Sequence, residues 1–264
     1  MSMHMSGWYE SLDPAGADTP LEAMMDERMF TQGDNIRTDE LLEIMGLGVC
    51  IGTAADTAAN SYLYTPTIDT LGRNYLSPLN VSTAAAVNAN QVRFASYERR
   101  PLRVADDELM RLYINALPGA AAVQAGFIIF TDGRMMQIPS GRHITWRGTF
   151  VAPAASGVWS PVNVTWQTEL LPGEYGVIGM QVVAPTTLAA RLNTRRTPLW
   201  FPGVMVQPAF DTLPAMYQMP GKMGVWTNFH FTQPPTLEVC AVTPAAGAVY
   251  LDIVQLTTGG RGAI

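Results

Sequence analysis

The sequence predicts an all-β protein, an antiparallel β-sandwich that follows a partly helical N-terminal arm. Three observations support this fold class. From residue 61 onward, short runs rich in β-branched and aromatic residues are separated by Pro, Gly, Asn and Asp, as in successive strands. No long helical pattern follows residue 60, so the strands lack parallel crossovers and are expected to pair antiparallel. The charge of the first 56 residues also differs from that of the rest.

The N-terminal segment 1–56 is strongly acidic. It contains 11 of the 22 acidic residues and only two basic residues, Arg28 and Arg37, which gives a net charge of −9. Residues 57–264 carry the other 11 acidic residues against 14 basic residues, a net charge of +3. Because residues 1–37 lack strand periodicity and are rich in Met, Gly and Pro, we expect an arm that is flexible or becomes ordered on a partner.

Two short helices are predicted within this arm. The segment Pro20–Phe30 begins with Thr19 as an N-cap and with proline at the first helical position. A second helix is predicted from Thr38, and Gly46 ends it. Its apolar stripe, which we expect to contact a neighbouring subunit, consists of Leu41, Leu42, Ile44 and Met45.

The body of the chain, residues 57–258, contains the predicted strands, and residues 259–264 form a flexible tail. The strands are expected at 61–68, 90–97, 109–117, 123–131, 142–152, 158–167, 174–184, 186–193, 199–207, 222–232, 236–243 and 247–256. In 142–150, Ile144, Trp146 and Phe150 alternate with polar residues, which is typical of a half-buried strand. The run 174–184 is apolar on both faces, so it should be central or covered by another subunit.

About a dozen strands in roughly 200 residues fit one elaborated eight-stranded jelly roll better than an immunoglobulin-type domain of about 100 residues. Two very compact jelly rolls in tandem would also fit this length. No internal repeat is visible in the sequence, which favours the single sandwich. The fold predicted for the body is therefore an antiparallel sandwich of the jelly-roll type.

The composition points to a protein with extensive interfaces. Hydrophobic residues make up 48% of the chain and charged residues only 14%, so much of the surface must be uncharged. Such a surface is normally covered by a partner or by copies of the same chain. Of the 16 basic residues only Lys222 is a lysine. Arginine is enriched in protein interfaces, although a GC-rich genome would produce the same bias.

No residue pattern in the chain predicts catalysis or a cofactor. The three histidines, His4, His143 and His230, belong to no metal-binding or protease motif, and neither GxSxG nor a phosphate-binding loop is present. Cys50 and Cys240 lie too far apart for paired spacing, so two buried reduced thiols are expected. No apolar run approaches the 18 residues that span a bilayer, so we expect no transmembrane segment. We therefore predict a protein that is not an enzyme and binds no cofactor.

The adjacent carboxylates Asp106, Asp107 and Glu108 are the one acidic cluster of the body. Three acidic residues before a strand could supply oxygen ligands for Ca²⁺, with a neighbouring subunit completing the site. The simpler interpretation is a solvated loop, because no calcium-binding loop pattern surrounds them.

Two groups of arginines are candidates for contact with other molecules. They are Arg93, Arg99, Arg100 and Arg103, and the pair Arg195 and Arg196. Phe94 and Tyr97 lie between the first four, as in a platform on which nucleic-acid bases stack. The basic footprint is small and the acidic segment would repel a polyanion, so a subunit interface is the better use for these arginines. We expect the acidic arm to dock on them in neighbouring copies.

The C-terminal half carries the features of a known family. They are the run Leu171–Gly179 (LPGEYGVIG), Gly224–Trp226 (GVW), Pro234–Val239 (PPTLEV) and Tyr250–Ile253 (YLDI). Over residues 60–257, this rhythm of strands and turns resembles the jelly-roll coat proteins of tailless icosahedral viruses, especially those of bacteria. The resemblance implies a major capsid subunit that assembles with copies of itself and other virion proteins in the host cytoplasm. In that family the arm extends beneath neighbouring subunits, and here its acidity argues against genome binding.

Two other functions remain open from the sequence. A carbohydrate-binding or adhesin-like sandwich of a viral spike or fibre would present exposed aromatic residues to a sugar. The candidates for such a platform are Trp159, Trp166, Trp200 and Trp226. A hydrolase would require two carboxylates that converge across a cleft, and the spacing of the acidic residues indicates no such pair.

Overall fold

The computed structural model of the protein describes residues 3–12, 17–26, 29–38, 43–51, 59–66, 79–81, 92–97, 100–116, 122–133, 138, 140–184, 187–194, 203–205 and 224–258. Within these ranges the chain is all-β, as the sequence predicts, and the strands pair antiparallel. No helix in them is long and apolar enough to cross a membrane.

Eleven strands form the first half of the chain. They are β1 (Met3–Leu12), β2 (Thr19–Pro20), β3 (Phe30–Gln32), β4 (Asn35–Thr38), β5 (Glu43–Ile51), β6 (Ala59–Tyr64), β7 (Leu79–Val81), β8 (Val92–Ser96), β9 (Leu102–Arg103), β10 (Glu108–Ala116) and β11 (Ala122–Thr131). The second half contains β12 (His143–Phe150), β13 (Ser160–Val162), β14 (Val164–Trp166), β15 (Gly173–Val183), β16 (Thr187–Asn193), β17 (Gly203–Met205), β18 (Thr227–His230), β19 (Thr236–Ala241) and β20 (Gly247–Thr258).

These strands form four sheets, two in each half. The outer N-sheet has the order β3-β4-β10-β6-β7, with β2 also paired to β10, and the inner N-sheet has the order β1-β11-β5-β8, with β9 paired to β5. The inner C-sheet has the order β13-β19-β16-β17, and the outer C-sheet has the order β14-β12-β20-β15-β18. Each half is therefore a sandwich of two antiparallel sheets.

The two sandwiches repeat one pairing order. When the eight principal strands of each are counted along the chain, the first pairs with the eighth, the eighth with the third and the third with the sixth. This gives β1-β11-β5-β8 in the N-sandwich and β12-β20-β15-β18 in the C-sandwich. The remaining strands follow the order second, seventh, fourth, fifth, which gives β4-β10-β6-β7 and β13-β19-β16-β17. The chain thus contains a topological repeat.

The core of the N-sandwich lies between its two sheets. Ile36, Leu63 and Leu112 of the outer N-sheet pack in one cluster with Trp8 and Phe130 of the inner N-sheet. All five side chains are almost fully buried. Because side chains alternate along a strand, these residues occupy one face of each sheet.

The other face of the inner N-sheet packs against the C-sandwich. Met5 of β1 and Phe127 of β11 belong to the same cluster as Ala189 of β16 and Cys240 of β19. The rings of Phe127 and Trp159 make an edge contact, with centroids 5.8 Å apart. The four sheets are therefore stacked as outer N, inner N, inner C and outer C, and both inner sheets are buried on both faces.

The core of the C-sandwich continues the same cluster on the far side of the inner C-sheet. Leu192 and Val239 of this sheet pack with Trp146, Tyr175 and Leu251 of the outer C-sheet. The alternation predicted for 142–150 is confirmed, because Trp146 and Phe150 are buried while their neighbours along β12 are exposed. The prediction that 174–184 is central is also confirmed, since β15 lies between β20 and β18.

The prediction of a partly helical arm is wrong for the residues that the structure describes. Where the first helix was expected, β2 ends at Pro20 and β3 begins at Phe30, and the described residues between them are not helical. Where the second was expected, β5 begins at Glu43. Both β1 and β5 pair with β11, so they form the inner N-sheet rather than a separate arm. The expected boundary at residue 56 and the tail 259–264 lie outside the described residues.

Each of the 12 predicted strands overlaps a strand of the structure, whereas β1, β5 and the shorter strands before β6 were not predicted. The preference for a single sandwich over 57–258 is corrected, because the described residues form two sandwiches in tandem. The repetition is seen in the pairing order of the described strands.

Candidate functional site

Among the described residues, one candidate contact surface is the outward face of the outer N-sheet, which we call the outer N-face. It consists of Phe30, Asn35, Arg37, Tyr62, Tyr64, Leu109, Arg111 and Tyr113. Their neighbours along the strands, such as Ile36, Leu63 and Leu112, point into the core. The surface combines aromatic residues with arginine, which is the composition enriched in protein interfaces.

Three tyrosines form an aromatic row at one end of the outer N-face. Tyr62 and Tyr113 are paired across β6 and β10, and their rings stack at 5.1 Å. Tyr64 meets the Tyr113 ring edge-on at 6.3 Å. The Tyr62 hydroxyl donates a hydrogen bond to Asp18 at 2.8 Å. These contacts hold the rings in place, so little side-chain entropy would be lost if a partner covered them.

Arg111 lies at the centre of the outer N-face, opposite Tyr64. Its Nε donates to Asn35 Oδ1 at 2.8 Å and lies 3.2 Å from Asp34 Oδ2. A hydrogen bond with Tyr113 and the charge of Asp34 raise the pKa of Arg111 above its ordinary value, against the opposing effect of burial. The guanidinium is thus a fixed positive charge within an aromatic surface.

At the other end of the outer N-face, two apolar side chains flank Arg37. Arg37 is paired with Phe30 on one side and with Leu109 on the other. Its guanidinium lies 4.2 Å from the centroid of the Phe30 ring and also pairs with Asp107 at 3.0 Å. Phe30 is 46% exposed and Leu109 is 40% exposed. Two large apolar side chains, on the two strands that flank β4, therefore remain in contact with solvent.

The outward face of the outer C-sheet, the outer C-face, is polar and carries little charge. It consists of Thr145, Arg147, Thr149, Thr165, Gln181, Tyr250 and Asp252. Thr145 donates to Asp252 at 2.7 Å, and the Arg147 guanidinium lies 5.5 Å from the Tyr250 ring. At one end of this sheet the face is covered, because Val225 packs on Ile178 and Val254.

A buried ionic cluster joins the two sandwiches. Asp26 accepts a hydrogen bond from Arg191 Nη1 at 2.8 Å and lies at the same distance from His4 Nε2. Arg191 Nε donates to Glu238 at 2.6 Å, and its Nη1 also donates to the Met5 carbonyl oxygen. Arg191 is 3% exposed, and both Asp26 and His4 are fully enclosed. The Arg191 guanidinium lies between the carboxylates of Asp26 and Glu238, and buried charges require such partners.

The structure places the predicted arginines at the surface or leaves them undescribed. Arg103, which is 87% exposed, lies 3.5 Å from Glu43 of the acidic segment, and Arg100 is exposed. The backbone of Arg93 lies in β8, but its side chain is not described. Arg99, Arg195 and Arg196 lie outside the described residues. Arg103 thus pairs with the acidic segment of its own chain, and the expected docking on arginines of neighbouring copies stays a prediction.

The predicted apolar stripe is not a contact surface where it is described. Ile44 is buried between the two sheets of the N-sandwich, and Met45 points from β5 toward the C-sandwich. A strand directs consecutive side chains to opposite faces, whereas the helical interpretation placed them on one. Leu41 and Leu42 lie outside the described residues.

The acidic cluster at 106–108 does not converge on a common point. Asp107 pairs with Arg37, while Glu108 is buried and accepts a hydrogen bond from the Ala105 amide at 2.7 Å. Asp107 adopts a positive φ of 61°, which turns the chain into β10. In the part of the chain that the structure describes, no group of three His, Cys, Asp or Glu side chains could hold a metal ion.

The remaining candidates separate into buried and exposed residues. Trp226 is buried, Trp159 lies beneath the Arg191 guanidinium, Trp166 stacks on Trp146 at 3.8 Å, and Trp200 is not described.

His143 is exposed at the end of the outer C-sheet, and His230 contacts Thr232 at 2.7 Å. Cys240 is a buried thiol, as predicted, while the side chain of Cys50 is not described. A cavity of about 410 Å³ is lined by Asn193, Thr232, Gln233, Pro234 and Thr236.

The tyrosine row and the ionic cluster were not predicted. Tyr62 and Tyr113 are far apart in the sequence, and only the register of β6 against β10 places them together. His4 and Asp26 belong to the segment interpreted as an arm, so no pattern linked them to Arg191. Comparison with known proteins finds no matching family profile, no matching curated protein and no matching solved structure.

Proposed function

We propose that this protein is a structural virion protein, a major capsid subunit that assembles with copies of itself into an icosahedral shell. The observation that carries the proposal is the repeated pairing order of the two sandwiches. Each sandwich has eight principal strands in the order first, eighth, third, sixth on one sheet and second, seventh, fourth, fifth on the other. We interpret this order as that of a jelly roll, an architecture used by viral capsid proteins and by lectins.

The stacking of the sandwiches supports a role as a rigid building block. The inner sheets are buried on both faces, and the ionic cluster around Arg191 lies between them. A partner removed from this cluster would leave uncompensated charge in the interior, so one relative placement of the sandwiches is strongly favoured. Shell subunits need such rigidity, because closed symmetry requires every copy to present its contact surfaces at the same angles.

The composition of the exposed surfaces supports self-association. The outer N-face combines three tyrosines, two arginines, Phe30 and Leu109, and Asp18, Asp34 and Asp107 pair with its side chains. The outer C-face is rich in threonine and carries only Arg147 and Asp252 as charged groups. Broad surfaces with few charges are those that stable protein interfaces bury.

The acidic segment contributes to this proposal in a different manner from the one expected. Its carboxylates pair with arginines of the same chain, as Asp26 does with Arg191, Asp34 with Arg111 and Glu43 with Arg103. The segment therefore strengthens the subunit itself. We place the contacts between copies on the sheet faces.

The proposal is tested by the mass and shape of the purified full chain. Light scattering after size exclusion should give a multiple of the chain mass at micromolar concentration, and negative-stain microscopy should show capsomers or closed shells. A chain that remains monomeric at the highest attainable concentration, and under conditions that favour shell assembly, would contradict the proposal.

Sugar binding is a second candidate, which one observation favours. The cavity at Asn193 and Thr232–Pro234 is lined by amide and hydroxyl side chains, which suit the hydroxyl groups of a neutral sugar. Binding of the wild-type chain on a glycan array, lost in Asn193→Leu, would support it. Equal binding by both chains would assign any signal to another surface.

A further inference from the structure

We infer that the outer C-face of one copy docks on the outer N-face of a second copy, in the same way that the two inner sheets meet within the chain. This inference rests on the proposed function and names the surfaces through which the copies associate.

The first step is the contact inside the chain. The inner N-sheet, with the order first, eighth, third, sixth, lies against the inner C-sheet, with the order second, seventh, fourth, fifth. Phe127, Met5 and Met45 cover one side of this contact, and Ala189, Arg191 and Cys240 cover the other. A sheet with the order first, eighth, third, sixth thus packs face to face against a sheet with the order second, seventh, fourth, fifth.

The second step follows from the repeat. The outer C-sheet has the strand order of the inner N-sheet, and the outer N-sheet has the strand order of the inner C-sheet. The two outward faces are therefore the uncovered counterparts of the two faces that meet inside. Each chain has one uncovered face of each type, so two copies can repeat the internal contact without any change of fold.

The third step is the chemical similarity of the two arginine-bearing faces. On the inner C-sheet, Arg191 lies 4.3 Å from the Trp159 ring and is paired with Asp26 and Glu238. On the outer N-face, Arg111 is paired with Asp34 beside Tyr113. Both faces place an arginine, neutralised by an acid, among aromatic rings. The first is covered by the inner N-sheet, whereas the second is half-exposed.

The fourth step concerns what would cover Arg111. The outer C-face offers hydroxyl groups from Thr145 and Thr149, the Tyr250 ring and the Asp252 carboxylate, and it carries no lysine. The carboxylate and the hydroxyls are acceptors for the guanidinium groups of the outer N-face. Its low charge also avoids the cost of removing many ions from water. A second copy of the chain therefore fits this surface better than a nucleic acid, which would meet Asp18, Asp34 and Asp107 at the same sheet.

The contact joins two different faces, so it is heterologous and adds copies head to tail into a ring or a filament. This geometry gives a sharp test. In Leu109→Glu the outer N-face is blocked and the outer C-face is intact. In Asp252→Arg the reverse holds, because a guanidinium replaces the carboxylate that would face the guanidinium groups of the outer N-face. Each variant alone should be monomeric, while a mixture of the two should form a one-to-one dimer that grows no further.

The experiment measures mass by sedimentation velocity for the wild type, each variant and the mixture. We expect the dissociation constant of self-association to rise by about tenfold or more in each single variant, so that each is monomeric at concentrations where the wild type assembles. Tyr64→Glu is a second variant on the outer N-face, and circular dichroism verifies that each chain is folded. Leu171→Glu is the matched control, because Leu171 is 57% exposed in the connection before β15 and belongs to neither face.

The outcomes separate the two proposals. If the wild type assembles and both single variants assemble equally well, the docking surfaces are wrong while the capsid proposal stands. If each single variant is monomeric and the mixture also remains monomeric, the contact is not the head-to-tail one inferred. If the wild type itself never assembles, the proposed function is contradicted, and the docking inference that rests on it is contradicted as well.

Discussion

Arg191 is the residue on which the joining of the two sandwiches most depends. Its guanidinium binds Asp26, Glu238 and the Met5 carbonyl, all on strands or connections of different sheets. In Arg191→Ala, the enclosed Asp26 keeps its contact with His4 but loses the guanidinium, and the partly exposed Glu238 loses its ion pair. We expect the free energy of unfolding to fall by about 3–5 kcal/mol. Urea denaturation followed by tryptophan fluorescence measures this difference.

Arg103→Ala is the matched control for that variant. Arg103 is also paired with an acid, Glu43, but its side chain is 87% exposed. Exposed pairs of this kind contribute about 0–1 kcal/mol. A loss in Arg191→Ala no larger than the loss in Arg103→Ala would show that the buried cluster does not hold the sandwiches together.

Tyr175 gives a pH-dependent prediction. Burial raises the pKa of Tyr175 above its ordinary value of 10.0, while Arg142 acts in the opposite direction. The folded chain therefore keeps this proton to higher pH than the unfolded chain. The stabilisation that comes from this difference is fully present below the pKa that Tyr175 has in the unfolded chain. It is lost as the pH rises through the raised pKa of the folded chain.

The variant Tyr175→Phe removes the ionisable group and its hydrogen bond to the Leu171 carbonyl oxygen, which is 2.8 Å long. We expect a loss of about 1 kcal/mol at neutral pH. The difference in the free energy of unfolding between the variant and the wild type should then narrow from pH about 9 to about 11, because only the wild type has this proton to lose. Denaturation midpoints across that range test it, and a constant gap would contradict the assignment.

At the scale of elements, β1 is the strand whose role differs most from expectation. Met3, Met5 and Trp8 are buried, and all ten residues of β1 pair with β11. Deletion of residues 3–12 would expose the edge of β11 and remove side chains from both faces of the inner N-sheet. We therefore expect the truncated chain to be misfolded or insoluble, and not a folded body without its arm.

Solubility, circular dichroism and limited proteolysis measure the outcome of this deletion. Replacement of Ser11 by Ala, at an exposed position of the same strand, is the control and should leave the fold intact. A truncated chain with a native spectrum and wild-type resistance to protease would show that β1 is dispensable.

The contrast between β12 and β1 explains how much of the fold the sequence predicts. In β12 one face is exposed, so buried Trp146 and Phe150 alternate with polar residues and the strand is visible in the pattern. In β1 both faces are buried, and His4 and Ser6 occupy interior positions. The interior polar residues remove the alternation on which the prediction relies. In β5 two glycines and apolar residues on both faces likewise resemble a helix stripe and a hinge.

The candidate surfaces could not be predicted from the sequence for a related reason. The outer N-face draws Phe30, Tyr64 and Arg111 from three separate strands, and only the register of β3, β4, β10 and β6 places them together. Long-range pairing of this kind leaves no local signal. The arginine bias predicts interfaces without saying which arginines form them, because Arg111 and Arg191 stand alone in the sequence.

For the whole molecule, the stacking of the two sandwiches should survive a break in the chain between them. A protease site placed after Gly133, which is exposed, would cut between β11 and β12. Because Met5, Phe127 and Arg191 hold the inner sheets together, the two fragments should still elute as one species under native conditions and separate only in denaturant. The uncut chain with the same insertion is the control.

Phe127→Ala extends the test to the contact itself. Removal of a buried phenylalanine costs about 3–5 kcal/mol, and in the cut chain part of that loss falls on association of the fragments. The cut variant should therefore dissociate at concentrations where the cut wild type remains intact. Fragments of the wild type that separate on their own would show that the linker holds the sandwiches together. The internal contact could then not serve as the pattern for a contact between copies.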